Sequence, residues 1–426
     1  MSEDKKLVPK LRFSEFREAE PWRPISLREA SIPVAERVGE RKLTPVSISA
    51  GIGFVPQAEK FGRDISGNQY QLYTLARDGD FVYNKGNSLK FPEGCIYLLQ
   101  GWGQVAAPSV FICFRLKAGY SNGFFQNCFE SNAHGKQLKK HITSGARSNG
   151  LLNISKEAFF GVAIPTPNSA EQQKIADCLS SLDELIAAQA RKVDTLKTHK
   201  KGLMQQLFPR EGETQPRLRF PEFRDVGEWK KYSLKDVFSI FQGFAFSSND
   251  SVENGVRWLK IADVGIQQMS HSTPSHLPFQ FKKQFEKFSV SEGDYVIALT
   301  RPILSGQLKM AQVDQTFAGA LLKQRVGKLV TTHHMPFVYF LLQCQQTIGD
   351  IEKSISGAEP PNLSAQQIEN IKTFIPNELE QIRIAECITS INDLITCATQ
   401  ELETHKTHKK GLMQQLFPQN ASEEAV

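Results

Sequence analysis

The sequence predicts an α+β protein in which two globular modules alternate with two long repeated helices. Three observations carry this. First, residues 171–209 (EQQKIADCLSSLDELIAAQARKVDTLKTHKKGLMQQLFP) recur at 380–418 (EQIRIAECITSINDLITCATQELETHKTHKKGLMQQLFP), with the last thirteen residues unchanged. Second, both copies carry one helical seam. Third, the regions ahead of the copies share landmarks and diverge between them, as variable modules on a duplicated frame do.

The first module, 1–167, opens on LRFSEF (11–16), Trp22 and SLRE. Its runs YQLYTL, DFVYN and SVFICFRL read as strands, separated by Gly, Asn, Ser and Pro turns. The first helix, 168–209, places Ile175, Leu179, Leu182, Ile186, Gln189, Val193, Leu196, Lys200, Leu203 and Leu207 in steps of four and three. That is an a/d seam of more than four heptads. Proline precedes it (Pro167) and ends it (Pro209). At 1.5 Å per residue such a helix is roughly 55 Å long.

The second module, 210–376, repeats the opening as LRFPEF (218–223), Trp229 and SLKD. GDFV (79–82) returns as GDYV (293–296), SGARSNGLLNIS (144–155) loosely as SGAEPPNLS (356–364), and AIPTP as FIP. DYVIALT reads as a strand and 336–354 as helix. The second helix, 377–418, keeps the seam through Ile384, Ile388, Ile391, Ile395, Ala398, Leu402, His405, Lys409, Leu412 and Leu416. Two helices with equal seams bury them best against each other. Residues 419–426 form a tail.

Composition bounds the function. No apolar run approaches the roughly 18 residues of a membrane span, and the N-terminus lacks a signal-peptide stretch. Seven scattered cysteines without a CxxC pair speak against zinc ribbons and disulfide scaffolds; a reducing cytoplasm fits. Residues 10–167 carry 20 Lys+Arg against 13 Asp+Glu, and residues 217–376 carry 18 against 15, a balance compatible with nucleic acid.

No catalytic motif stands out. P-loop, HExxH and nucleophile-elbow patterns are absent from the sequence. The string nearest to the (N/D)-P-P-(Y/F) of adenine methyltransferases is EPPN (359–362), wrong at both ends. His405 and His408 have a spacing that could hold metal, but copy one has Leu196 opposite His405, so they read as polar interruptions of a seam.

Variable module, repeated helix, variable module, repeated helix: with the paired EQ-x-x-IA-x-C…KTHKKGLMQQLFP segments and the LRF-x-EF openings, the chain resembles the specificity (S) subunit of type I restriction–modification enzymes. The resemblance covers almost the whole chain. It implies that each module is a target recognition domain reading one half of a bipartite double-stranded DNA sequence. It implies helices paired as an antiparallel coiled coil that dock two methyltransferase (M) subunits, with restriction/translocase (R) subunits joining. It implies no catalysis and no cofactor on this chain; S-adenosylmethionine, ATP and Mg2+ are expected on the partner subunits. Helix length would then fix the unread base pairs between the half-sites. A self-contained methyltransferase or nuclease, and a structural coiled-coil scaffold for proteins, are the alternatives.

Bases are read by Arg or Lys on guanine and Asn or Gln on adenine, while phosphate contacts position the protein. The loops after the GD-[FY]-V strands supply such residues: Asn84, Lys85, Asn87 and Lys90 in the first module, and Thr300, Arg301, Gln307 and Lys309 in the second. A second pair of loops holds Arg147, Ser148 and Asn149, and Asn362. Lys139, Lys140, Lys282 and Lys283 suit phosphates. The unchanged helix ends admit dipole compensation, DNA backbone contact or partner docking. An identical surface shown twice favours docking of two identical partners, through Lys200, Lys201, Leu203, Met204, Leu207 and Phe208, and Lys409, Lys410, Leu412, Met413, Leu416 and Phe417. Closing the coiled coil is the competing role for the apolar members.

Overall fold

A computed structural model describes residues 7–49, 51–86, 91–142, 152–271, 274–355, 360–368 and 370–418. The chain divides into two compact units, Met1–Ala190 with Gln400–Val426, and Arg191–Thr399. Each unit thus combines one module with a part of both long helices.

The helices span Ser169–Leu207 and Glu378–Leu416. Their starts are built alike. The Asn168 side-chain oxygen accepts from the Glu171 amide at 2.9 Å, and that of Asn377 from the Glu380 amide at 3.0 Å. These are N-caps, satisfying backbone donors that a helix start leaves free. One residue on, the Gln172 and Gln381 amides donate to the carbonyls of Pro167 and Pro376.

Every seam position predicted above is buried or half-buried. In the first unit Lys409 donates to Asp183 at 2.7 Å and Gln189 donates to Glu401 at 2.7 Å. Rising numbers on one helix meet falling numbers on the other, so the helices run antiparallel. In the second unit Leu207 shares a core with Ile384, Ala385 and Ile388, in the same antiparallel sense.

The first unit holds a four-stranded antiparallel sheet ordered Ser31–Pro33, Ile112–Leu116, Asp80–Asn84, Cys95–Leu98. A second sheet, ordered Gly53–Pro56, Thr44–Ser49, Gln104–Ala107, Thr74–Arg77, contains one parallel pair. The second unit repeats the first sheet as Ser239–Gln242, Val326–Val330, Tyr295–Ala298, Met310–Gln312. Its smaller sheet, His276–Leu277, Val256–Leu259, Leu321–Leu322, also has one parallel pair. In each unit a two-stranded ribbon joins the module's opening to its exit: Arg23–Ser26 with Ala163–Thr166, and Lys230–Ser233 with Lys372–Ile375.

The LRF-x-EF opening has a structural reason. Arg12 grips Glu171 with two hydrogen bonds of 2.8 and 2.7 Å, and the Trp22 indole donates to the same carboxylate at 3.2 Å. Arg219, Glu380 and Trp229 repeat this at 2.8, 2.8 and 3.1 Å. Both carboxylates are almost fully buried, and the planar guanidinium fork matches them. The opening segment also caps a helix end: the Leu11 amide donates to the Gln415 carbonyl and the Leu218 amide to that of Gln206.

Two elements differ from expectation. YQLYTL begins as a short 3-10 helix, Gly67–Leu72, and becomes strand only at Thr74, because the Tyr70 hydroxyl is bound to the backbone of Leu43 and Arg41. The helix expected at 336–354 is two, Met335–Leu342 and Gln345–Ile355. At the break the amides of Gln343 and Cys344 turn to carbonyls three residues back, those of Phe340 and Leu341.

Candidate nucleic-acid interface

In each unit the aspartate of the Gly-Asp-aromatic-Val string is anchored, at the first residue of its strand in the first unit and just before the strand in the second. Asp80 accepts from Arg115 at 2.6 Å, and Asp294 from Lys328 at 2.7 Å. The far end of that strand is where the candidate readers lie. In the first unit the Asn84 side chain caps the Gly86 amide at 2.8 Å and reaches the Ile48 carbonyl. Lys85 donates through Nζ to the Ile154 carbonyl at 3.3 Å, and its own carbonyl accepts from the Leu152 amide at 2.9 Å. Asn87, Lys90, Arg147, Ser148 and Asn149 lie outside the described residues. Lys85 is nonetheless bound to the segment that follows Asn149.

The second unit repeats this convergence. The Leu363 amide donates to the Leu299 carbonyl at 2.7 Å and the Arg301 amide to that of Pro361 at 2.8 Å. Thr300 donates to the Asn362 side-chain oxygen at 2.7 Å. Arg325, which the sequence reading missed, donates to both, at 3.1 and 3.0 Å. Two loops 60 residues apart in sequence are thus one polar cluster. Arg301 is exposed and adopts a left-handed φ of 47°. Gln307 is exposed on a hairpin formed by Ile303–Leu304 and Gln307–Leu308. Lys309 donates to the Ile261 carbonyl at 3.2 Å, and burial holds its pKa below the ordinary lysine value.

Lys139 and Lys140 are exposed at the end of the helix Gly135–Lys139, and Lys282 and Lys283 on the helix Phe281–Gln284. Two cations not singled out in the sequence flank one ring, Lys260 and Lys323 at 4.2 and 4.6 Å from Trp258. Burial, then the charge of Lys260, lowers the pKa of Lys323. No local pattern marks Arg325, Lys260 or Lys323, because strands separated in sequence assemble their surroundings.

The expected docking residues divide. Leu207, Phe208 and Leu416 are buried inside the units, so they offer no partner surface. Phe208 packs 5.4 Å from Phe337 and 6.5 Å from Trp229. Phe417 packs 5.5 Å from Phe124 and 6.2 Å from Trp22. Leu203, Met204, Leu412 and Met413 are half-buried against the same cores. The unchanged GLMQQLF therefore closes two equivalent cores, each copy sealing one. Lys201 and Lys410 are exposed, whereas Lys409 bonds Asp183 and Glu130, and Lys200 bonds Gln267 at 2.9 Å.

Among the described residues no group of three or more His, Cys, Asp or Glu could hold a metal ion, and no helix is long and apolar enough to cross a membrane.

The profile of the type I restriction modification DNA specificity domain matches residues 79–198 and 227–404. The chain belongs to that family. Its modules are the target recognition domains of a DNA specificity subunit of a type I restriction–modification system. Specificity subunits are themselves non-catalytic, which sets aside the self-contained methyltransferase or nuclease. The specificity subunit of the type I restriction enzyme MjaVIII of Methanocaldococcus jannaschii is 30% identical over 286 residues, 66% of this chain and 67% of that protein. The crystal structure of the type I restriction-modification S subunit from M. genitalium matches 97% of this chain and 100% of its own, with a TM-score of 0.57 and 14% identity. A chain from a structural study of type I R-M complex assembly matches 93% of this one and 96% of its own, with a TM-score of 0.52 and 16% identity. At those identities the likeness is one of fold.

Proposed function

We propose that the first unit reads one half of a bipartite DNA target and the second unit the other. The observation that carries this is the convergence of two loops in both units: Lys85 with Leu152 and Ile154, and Thr300 and Arg301 with Pro361 and Asn362. The same scaffold position thereby presents different side chains, as two readers of different sequences require. Asn84, Lys85, Asn87, Lys90, Arg147, Ser148 and Asn149 serve the first half-site; Thr300, Arg301, Gln307, Lys309 and Asn362 serve the second. Lys139, Lys140, Lys282 and Lys283 bind phosphates.

The chain acts inside a larger assembly with two methyltransferase subunits and restriction/translocase subunits, within the cell. S-adenosylmethionine, ATP and Mg2+ serve the chemistry of those partners. Docking uses the outer face of the long helices, where Leu185 and Leu394 hold equivalent positions in the repeat and are 44% and 56% exposed.

The test is adenine-methylation mapping in cells expressing this chain with its partner subunits. A single bipartite motif is expected, and exchanging residues 293–309 for those of a relative should alter one half only. Methylation without a shared motif, or changes in both halves, would overturn the reading.

A further inference from the structure

Two non-glycine residues in left-handed backbone shape one short hairpin, one just ahead of its first strand and one in its turn. Among the described residues only Asn132, Gln267, Arg301 and Ser305 have such a φ, and the last two, at 47° and 52°, lie within five positions. Left-handed backbone strains an L residue, and strain of this kind collects where surroundings hold a loop in one shape. Here the holding contacts are visible: the Arg301 amide donates to the Pro361 carbonyl at 2.8 Å and the Lys309 amide to that of Pro302 at 2.7 Å. Ser305 and Gly306, with φ of 52° and 71°, form the two-residue turn whose twist suits a hairpin.

Alternation then divides the hairpin's side chains. Ile303 and Leu308 form one cross-strand pair and Leu304 and Gln307 the other. Leu308 is buried, and Ile303 packs against the core of the unit. The second pair must face away, and it does: Leu304 is 54% exposed and Gln307 is exposed. Opposed residues of a hairpin keep their Cβ atoms about 5 Å apart. The rigid tip therefore offers a leucine side chain and a primary amide side by side, with the Arg325–Thr300–Asn362 cluster behind it.

Resting on the DNA-reading role proposed above, we infer that this tip reads adenine and thymine in the major groove of the second half-site. Gln307 pairs with adenine N6 and N7, and Leu304 packs on the thymine C5 methyl. Only A·T pairs combine an adjacent donor and acceptor with a methyl group, whereas G·C pairs offer no apolar group. A two-stranded ribbon fits the roughly 12 Å width of that groove. Leu304 is thus a specificity-determining residue that side-chain polarity would not have nominated.

The experiment uses the full chain in its complex and a duplex bearing its own mapped target. Thymines of the second half-site are replaced one at a time by deoxyuridine, which removes only the methyl, and adenines by 7-deazaadenine, which removes only N7. At one thymine the wild type should lose about three- to fivefold in affinity, and at one adenine about tenfold. Leu304→Ala should bind the natural target correspondingly less well and ignore that deoxyuridine; Gln307→Ala should ignore the 7-deazaadenine. Both side chains are exposed, and unchanged urea unfolding confirms that the variants fold. If the wild type tolerates deoxyuridine at every position while still preferring its target, the inference is wrong and the DNA-reading role stands. If the complex does not distinguish its target from scrambled DNA, both are wrong.

Discussion

Lys409 donates to Asp183 at 2.7 Å and lies 3.3 Å from Glu130, an ion cluster at the seam of the first unit. Its repeat counterpart, Lys200, has neither acid. Asn392 occupies the position of Asp183 in the repeat, and Gln343 that of Glu130, judged by the paired rings Phe124–Phe417 and Phe337–Phe208. The side-chain carboxamide of Gln343 is buried there and brings no charge. The ammonium groups respond accordingly. Burial pushes the pKa of Lys200 down. Burial acts the same way on Lys409, but the bonds to Asp183 and Glu130 outweigh it and the net shift is upward.

Asn392→Asp should therefore stabilise the second unit, by about 0.5–1.5 kcal/mol for a partly screened pair. It should also raise the pKa of Lys200. The sign follows from linkage: a lysine whose folded pKa is depressed costs stability at neutral pH, and that cost fades as pH rises through the folded value towards the unfolded one. Wild type should gain stability over this alkaline window and Asn392→Asp should not. Urea unfolding at several pH values decides it, and a destabilised variant would refute the equivalence.

Glu171→Ala should be among the most damaging single changes in the first unit. It leaves the Arg12 guanidinium, whose side chain is 6% exposed, and the Trp22 indole without their shared acceptor. Stranding a buried charge costs about 3–5 kcal/mol. Glu380→Ala should do the same to the second unit through Arg219 and Trp229. A loss below about 1 kcal/mol in thermal unfolding would show the network to be dispensable.

Phe417→Ala should destabilise the first unit and Phe208→Ala the second, each by about 3–5 kcal/mol as a ring is removed from a packed core. The comparison separates core from docking roles. Lys201→Ala and Lys410→Ala, at exposed positions, should leave unfolding within about 0.5 kcal/mol of wild type. Near-neutral Phe variants with impaired assembly would instead restore the docking role to the helix ends.

The frame was legible because it is duplicated and periodic. The seam and the proline stops follow from local rules. What local rules could not show is which partner a repeated residue meets. GLMQQLF looked like a surface displayed twice because identity was visible and burial was not. The antiparallel arrangement instead brings each copy to a separate aromatic core. Arg325 was missed for a related reason, since its role depends on Thr300 and Asn362, residues 25 and 37 positions away. Among short elements, Tyr70 shows a single hydroxyl redirecting an alternating run that otherwise reads as strand.

Arg301→Ala should weaken recognition of the second half-site alone. The residue is exposed and follows Thr300 of the Thr300–Asn362–Arg325 cluster in sequence, and its backbone is pinned to Pro361. Loss of a guanine contact costs ~1–3 kcal/mol and relaxes preference at one base pair. Competition binding against single-base variants of both half-sites is the measurement. A uniform loss across all sequences, with a salt slope shallower by about one, would make Arg301 a phosphate contact.

Leu185→Asp and Leu394→Asp should impair assembly and spare the fold. In each unit the outer helix face presents the same exposed pattern: Ser181, Glu184, Leu185 and Ala188 in one copy, Ser390, Asp393, Leu394 and Cys397 in the other. An exposed leucine on such a face can fill a partner's pocket at the centre of an interface, where single anchors contribute about 2 kcal/mol or more. A surface aspartate in a helix interior costs only about 0.5 kcal/mol relative to a good helix former. Each single variant should therefore lose one of two partner subunits, leaving an assembly of intermediate mass, and the double variant should lose both. Mass photometry of the co-expressed complex reads this directly. Intact assemblies with both leucines replaced would show that the partners grip another face.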